Sequence, residues 1–431
     1  MRAPPVQWTS VSVLETAPAG STRSDRIYNF ISCLIDAVGF PLGIAFFSSS
    51  TILPILLRRL GADDVLVGCL PALANLITFL PGFLVVGYLN RRRRVRGYVF
   101  WVGLGERFCL LPLALLTMMW GTTHPQWLIL GVFVCITFHT TFMGLNQPAY
   151  WVVVGKTVPS KWRGRLFGIA GGIAGVLSLG IDRLMSTLLG GHDGGFPNGF
   201  SRCFLIGFII LFVTVLPLGA LREPVFEQST EVEEPGRFRH QMMEVWRANK
   251  GFRRFLYGYI AFQCSTLAAP FYILHASHKL VASTNAIAGF TGTMVFLSSV
   301  GGLAWGAWSD RGGNKKVLVC SSILAVAAPI AAIYAGSTAA FYAVFAILAL
   351  SSAGNSLAGF NIVMEFAADA RLIPLYSAIA NAVTAVPRAI APVLGGLLAS
   401  STHGYVAGFA VSAVLASVSA ILSTRVIEPR K

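Results

Sequence analysis

Cys203-Phe-Leu-Ile-Gly-Phe-Ile-Ile-Leu-Phe-Val-Thr-Val-Leu-Pro-Leu-Gly-Ala-Leu221 carries no charged side chain over its whole length. A bilayer core takes about 20 apolar residues as helix, so this stretch reads as a membrane span. Working outward with the same ruler, the sequence divides into twelve such runs: 28–57, 65–89, 97–120, 126–154, 165–189, 203–221, 253–275, 285–308, 316–336, 339–366, 375–399 and 404–424. The last of them is also free of charge. Composition agrees, since 55% of the 431 residues are hydrophobic and 12% charged, against roughly 25% charged in soluble domains. Mean hydropathy is +0.68. An array of soluble domains is excluded, and the expected fold is an all-α membrane protein of twelve transmembrane helices. A net charge of +15 would point to nucleic acid in a soluble chain. Here the basic residues stand between apolar runs, so no nucleic-acid partner is expected. The seven cysteines fall inside or at the edge of those runs. They read as small buried hydrophobes, with no metal or cofactor site among them.

The basic residues also orient the chain. With the N-terminus inside, 26 of the 33 Lys and Arg lie on the inner side. Arg58, Arg59, Arg183, Arg202 and Lys279 lie outside, and Arg107 and Arg388 lie within spans. That asymmetry follows the positive-inside rule, and implies a multi-pass protein of the cell (inner) membrane with both termini cytoplasmic. Residues 1–26 hold Pro4, Pro5 and Pro18 and no apolar core. They are expected to form a disordered cytoplasmic tail, not a signal peptide. The remaining organisation is a six-helix bundle over 27–221, a cytoplasmic linker over 222–252, a second six-helix bundle over 253–424, and a tail over 425–431. The linker holds six Glu and is expected to include a short amphipathic stretch. Pro41 and Pro148, inside the overlong first and fourth runs, predict kinks or tilt.

The halves echo each other. Glu223-Pro224 and Glu428-Pro429, each just past the end of a half, are 205 residues apart, and Gly87 and Gly306 are 219 apart. Two halves related by a parallel repeat are a transporter architecture. Between the eighth and ninth runs, Gly302-x-x-x-Gly306-x-x-x-Asp310-Arg311-Gly312-Gly313-Asn314-Lys315-Lys316 resembles the signature loop of the major facilitator superfamily. The first-half copy, Gly87-Tyr88-Leu89-Asn90-Arg91-Arg92-Arg93-Arg94, is degenerate, with Arg91 where the motif has Asp. Pro159-Ser160-Lys161-Trp162-Arg163-Gly164-Arg165-Leu166-Phe167-Gly168 resembles many bacterial members as well. The resemblance implies that spans 1, 4, 7 and 10 line a central cavity and that 3, 6, 9 and 12 lie outermost. It also implies a cytoplasmic gate, with Asp310 and Arg311 close to Arg163 or Arg165 when the carrier is outward-open. Arg91 breaks the first-half version of that gate. Glu365 and Asp369, before the eleventh span, are the acids that its arginine cluster would need. The cluster reads either as half of a charge-swapped lock or as an inside-rule patch touching anionic lipid. Asp182, beside Arg183 near the outer end of span five, reads as a gate or interfacial group.

Ionisable groups deep in a span each cost at least about 2.5 kcal/mol on insertion scales, so each needs a reason. Asp36 forms a helical stripe with Phe40, Gly43 and Phe47. On the family's geometry that stripe faces the cavity. Asp36 is then a protonatable coupling site, or a structural carboxylate holding a neighbouring helix. Arg388 shares a face with Asn381, Thr384 and Gly395, and could hold an anionic substrate, serve as counter-ion to Asp36, or pair the halves. Glu106 and Arg107 are adjacent, and neighbours on a helix point about 100° apart. They are expected not to face each other and to pack span three against its neighbours. His139, Met143, Asn146 and Tyr150 share one face of span four. His139 and Asn146 are candidate cavity groups, or hydrogen-bonding groups between helices. Gln263 and Asn355, in spans seven and ten, are further candidates. Gly168, Gly171, Gly172 and Gly175, with Gly395 and Gly396, are expected to let helices of the two halves approach closely.

No P-loop is present, and neither His-Glu-x-x-His nor a nucleophile elbow appears. ATP drive and intramembrane hydrolysis therefore have no visible machinery, and the chain does not read as an enzyme. The leading reading is a monomeric, proton-coupled secondary active transporter that moves a small organic solute by alternating access among membrane lipids. The alternative is a receptor, scaffold or lipid-handling protein that kept the fold. A cavity filled by Phe and closed on both sides would favour it.

Overall fold

The computed structural model describes residues 22–90, 92, 94–190, 196–224, 235–280, 284–367 and 372–427. Regular structure among them is helical throughout. The first half comprises α1 (Arg23–Ile44), α2 (Ile52–Arg59), α3 (Asp64–Asn90), α4 (Arg96–Phe108), α5 (Leu111–Trp120), α6 (Pro125–Thr157), α7 (Ser160–Leu189) and α8 (Asn198–Gly219). The linker holds α9 (Pro235–Ala248). The second half comprises α10 (Lys250–Ser265), α11 (Phe271–Leu280), α12 (Thr284–Gly312), α13 (Asn314–Tyr334), α14 (Thr338–Phe366), α15 (Ile373–Ala399) and α16 (Gly404–Thr424). Each of the twelve apolar runs is thus one helix or a pair of helices in line.

The pairs have local causes. The first span breaks at a 3-10 turn, Ala45–Phe47, one helical turn after Pro41, whose missing amide removes the bond to the Ala37 carbonyl and weakens the helix there. The seventh breaks at the corresponding turn, Thr266–Ala268. The two breaks stand 221 residues apart, close to the 219 that separates Gly87 from Gly306. The repeat therefore extends to an interruption in equivalent helices. The third span also breaks, at Cys109-Leu110, and Pro112 sits in the first turn of α5, where a missing amide costs nothing. Pro148 lies inside a continuous α6.

The N-terminal boundary needs correction. Thr22 caps α1 in a reciprocal arrangement with Asp25, so residues 23–26 are helical and not part of a tail. Residues 1–21 lie outside the described residues, as do 428–431.

Within the first half α1 packs on α8, and α4 on α6 and α8. Within the second, α10 packs on α16 and α13 on α14. The halves meet along two seams, α3 against α15 and α7 against α12. The first seam is closest where glycines remove the side chains. A Cβ on Gly68 would collide with the Pro392 carbonyl oxygen, and one on Gly396 would lie 2.5 Å from the Asp64 carbonyl oxygen. The second seam is looser. A Cβ on Gly168 would lie 3.6 Å from Leu303, and one on Gly175 would lie 3.2 Å from Ser299.

Apolar packing differs between the two ends of the bundle. One buried cluster joins both halves at the end that carries α2 and α11, with Phe46, Leu53 and Leu56 from the first half and Phe271, Phe290 and Phe341 from the second. At the opposite end, where α1 and α10 begin, the clusters are separate. Cys33, Val99, Val153 and Leu221 belong to one, confined to the first half. Phe252, Leu256, Ile362 and Val426 belong to the other, confined to the second. Polar contacts reinforce the closed end. Thr291 donates to Thr51 across the halves at 2.8 Å. Tyr405 donates to Asp64 at 3.2 Å, and Arg58 approaches the same carboxylate at 3.3 Å. Closed at one end and divided at the other, the arrangement opens toward the end where α1 and α10 begin.

Candidate functional site

Three ionisable side chains meet inside the first half. Asp36 of α1 receives the Arg107 Nη2 of α4 at 2.9 Å, with the two side chains only 6% and 3% exposed. The same guanidinium donates through Nη1 to Glu106 Oε2 at 3.1 Å and to the Gly103 carbonyl at 3.0 Å. Its face lies 5.4 Å from the Phe40 ring centroid. Asn146 of α6 donates to Glu106 Oε2 at 3.2 Å. His139, also on α6, lies 3.0 Å through Nδ1 from the Glu106 carbonyl oxygen. A carbonyl only accepts, so the proton of the neutral imidazole sits on Nδ1. Some hydrogen-bonding capacity stays unused: Glu106 Oε1, Arg107 Nε and Asn146 Oδ1 are buried without a partner among the described residues.

Local helix packing sets this geometry. Gly39 and Gly43 let α1 close on α8, where a Cβ on Gly43 would meet Leu211 at 2.5 Å and the Gly207 carbonyl at 3.1 Å. Phe47 stacks on Phe204 of α8, with centroids 5.2 Å apart. The stripe of Asp36, Phe40, Gly43 and Phe47 therefore faces the interior of its own half, not a cavity between halves. The stripe of His139 and Asn146 likewise faces α4. The expectation that Glu106 and Arg107 cannot meet is also overturned. Their Cα–Cβ bonds diverge, but both side chains are long enough to fold back to a shared point beside Asp36.

Arg388 is not the counter-ion of Asp36, because Arg107 holds that place. Its guanidinium reaches the Tyr259 hydroxyl of α10 at 3.4 Å, and Asn75 of α3 donates to its backbone carbonyl at 3.2 Å, bridging the halves. Gln263 is buried one turn beyond Tyr259. Asn355 turns away from any cavity: it accepts from Ser322 of α13 at 3.4 Å and donates to the Ser351 carbonyl at 3.3 Å. It holds α13 to α14.

Of the gate residues, Arg91 and Asp369 lie outside the described residues. Asp310, Arg311 and Arg165 are exposed, and no ion pair links Asp310 to Arg163 or Arg165 among the described residues. Arg163 instead donates to the Gly155 and Val158 carbonyls at 2.6 and 3.1 Å, closing the C-terminal end of α6. Glu365 accepts from Asn314 at 2.7 Å within its own half. Asn314 also accepts from Ser309 and from Asn361, so the signature loop is tied down by side chains of α14. Asp182 packs its Cβ against Gly292 of α12, an interfacial position on the second seam. Arg183 is exposed.

The first copy of the Glu-Pro pair acquires a role that the sequence alone does not assign, and the second copy lies outside the described residues. Glu223 accepts from the Val95 and Arg96 amides at 2.8 Å each and from Lys156 at 3.2 Å. It neutralises the N-terminal end of α4, the helix that carries Glu106 and Arg107. Beside it Arg222 pairs with Asp25 at 2.5 Å, a contact that holds the guanidinium above its ordinary range.

The family model described as Major Facilitator Superfamily matches residues 255–431. No curated protein matches the sequence. Among solved structures, a bacterial homologue of the human lysosomal transporter Spinster, in an inward-facing and occupied conformation, aligns with a TM-score of 0.67 at 14% identity. That alignment covers 94% of this chain and 98% of the other. The xylose transporter XylE from E. coli, partially occluded and inward-open, aligns with a TM-score of 0.66 at 13% identity over 94% of this chain and 98% of its own. A bacterial homologue of the iron transporter ferroportin, inward-facing, gives 0.63 at 13% over 95% and 100%.

Proposed function

We propose that the chain is a member of the Major Facilitator Superfamily, whose model matches residues 255–431 and whose solved transporters share its fold, and that it is a proton-coupled secondary transporter of a small organic solute. The observation that carries the reading is the buried cluster of Asp36, Glu106 and Arg107. Two carboxyls and one guanidinium, beside an imidazole, leave the cluster one proton short of neutrality. Charges at this depth are expensive and are retained where they serve a pathway or a relay. The unpartnered Glu106 Oε1 and Arg107 Nε leave room for the hydrogen bonds to be redistributed.

The coupling step follows from the bonds. With Asp36 ionised, Arg107 ties α1 to α4. A proton on Asp36 removes the charge that holds the guanidinium, which then turns fully to Glu106. This loosens α1, whose outer continuation through the Ala45–Phe47 turn forms part of the outer seal. Proton occupancy and the outer gate are thereby linked. On the second half Arg388, Tyr259 and Gln263 supply the polar contacts for solute. The cargoes named for the structural neighbours, from xylose to iron, are too diverse to select one here. The positive-inside distribution supports cytoplasmic termini in a cell inner membrane.

The competing reading, a protein that kept the fold without transport, would predict a plug of side chains closing both sides. The inner-end clusters are instead separate, which speaks for transport. The test is Asp36→Asn in proteoliposomes carrying an imposed pH gradient, after a ligand-stabilisation screen has supplied a solute. Accumulation should vanish while solute exchange persists. Accumulation at the wild-type level would overturn the coupling role.

A further inference from the structure

Where the linker meets the second half, Trp246, Lys250, Arg253, Arg254 and Tyr257 line a cavity of about 300 Å³. The cavity is separate from the buried charge cluster, and nothing in the coupling scheme uses it. Its walls are held in place. The Asn249 side chain accepts from the Phe252 amide at 2.9 Å, which caps α10, and donates to the Tyr376 hydroxyl at 3.2 Å. Arg253 donates to the Trp246 and Arg247 carbonyls at 2.8 and 3.2 Å, locking the corner between α9 and α10. Met242, Val245 and Trp246 pack on the inner cluster of the second half, so α9 is anchored by its apolar face. Trp246 meets Tyr257 edge to face with centroids 6.3 Å apart.

We infer that this cavity is a binding site for the phosphate headgroup of an anionic phospholipid of the inner leaflet. Three features select that ligand. Lys250 and Arg254 bring two cations to one rim, and among the described residues neither forms an ion pair. Tyr257 is 50% exposed at the start of a membrane-spanning segment. A Trp and a Tyr beside basic side chains at that level form the pairing that membrane–water interfaces favour. A phosphodiester would sit between Lys250 and Arg254, and the glycerol and upper acyl chains would run along Tyr257. Basic pockets at the cytoplasmic ends of transmembrane helices bind acidic headgroups by the same logic. A free phosphate would use the cations and leave the exposed Tyr257 face unmatched. The inference rests on membrane embedding and is independent of the coupling proposal.

The experiment uses the full chain, purified in detergent and mixed with equimolar dioleoyl-phosphatidylglycerol and dioleoyl-phosphatidylcholine, with retained lipids counted by native mass spectrometry. The wild type should retain phosphatidylglycerol in preference, and Lys250→Gln with Arg254→Gln should reduce that retention roughly 30-fold. Lys250→Arg with Arg254→Lys should restore it, which separates lost charge from lost structure, and the thermal midpoint of each variant checks the fold. Equal retention of both lipids, or no change in the neutralised variant, would overturn the site. Displacement of phosphatidylglycerol by millimolar inorganic phosphate would overturn the lipid assignment in favour of a free-phosphate site.

Discussion

Arg107→Gln removes the only cation that contacts the buried carboxylates of Asp36 and Glu106 among the described residues. Leaving a buried charge without its partner costs about 3–5 kcal/mol. The substituted amide could keep one hydrogen bond to the Gly103 carbonyl, and the low end of that range applies if it reaches. For a domain of 150–250 residues, each kcal/mol moves the thermal midpoint by about 2–4 °C. The first bundle, residues 27–221, falls in that size class. The midpoint should therefore drop by roughly 6–20 °C. Removing the Asp36 charge as well is a different perturbation. Asp36→Asn combined with Arg107→Gln leaves two amides that can bond to each other and Glu106 as the one buried carboxylate, held by Asn146, so it should recover part of the loss. The assay is a thermal melt of both single variants, the double variant and the wild type in one detergent, with the coupling taken from the double-mutant cycle. If Arg107→Gln melts within about 1 °C of the wild type, or if the two losses add, the ion pair is not what holds α1 to α4.

Other perturbations test the parts that surround the cluster. Glu223→Gln should cost about 2 kcal/mol, because charge-assisted bonds to the Val95 and Arg96 amides and to Lys156 become neutral ones. A thermal melt reads the loss, and Glu223→Asp should soften it. Gly396→Leu places a side chain where a Cβ already meets the Asp64 carbonyl at 2.5 Å, so the outer seam should be forced apart. Labelling of a cysteine introduced at Thr51, which is fully buried beneath the seam, should rise several-fold, and unchanged labelling would mean that the seam does not close the outer side.

The fold was largely legible because membrane spans announce themselves by length and apolarity, and because the basic loops orient them. What the sequence could not resolve was azimuth. Asp36 was visible as a costly carboxylate, but its stripe points to α8 and α4. That direction depends on Gly39, Gly43 and Gly207 permitting contact between nonadjacent spans, which no local periodicity encodes. His139 and Asn146 share one face, and of the two roles that face allows, the structure shows hydrogen bonds between helices, to Glu106 of α4. Adjacency hides the meeting of Arg107 with Glu106, because the 100° offset between neighbours governs short side chains better than long ones. A simple count held the missing signal: Asp36, Glu106 and Arg107 are the charged residues deep in the spans of the first half, and buried opposite charges must find one another. Conversely, Asn355 had the right spacing for a cavity residue and serves as a tie between α13 and α14. The Glu-Pro repeat is legible as an echo, while the task of Glu223 in capping α4 depends on the chain folding back from Glu223 to Val95.

The central claim is that protons on the Asp36 cluster govern which side of the carrier is open. Pulsed electron–electron distance measurements on spin-labelled protein in nanodiscs test it without knowledge of the solute. One label pair, Arg59 with Lys279, spans the halves at the outer side, and another, Arg94 with Lys316, spans them at the inner side; all four positions are exposed. As the pH falls, the outer distance should lengthen while the inner one shortens, and Asp36→Asn should hold both in the low-pH distribution at every pH. Distances that stay single and unchanged across the titration, in wild type and variant alike, would contradict the account.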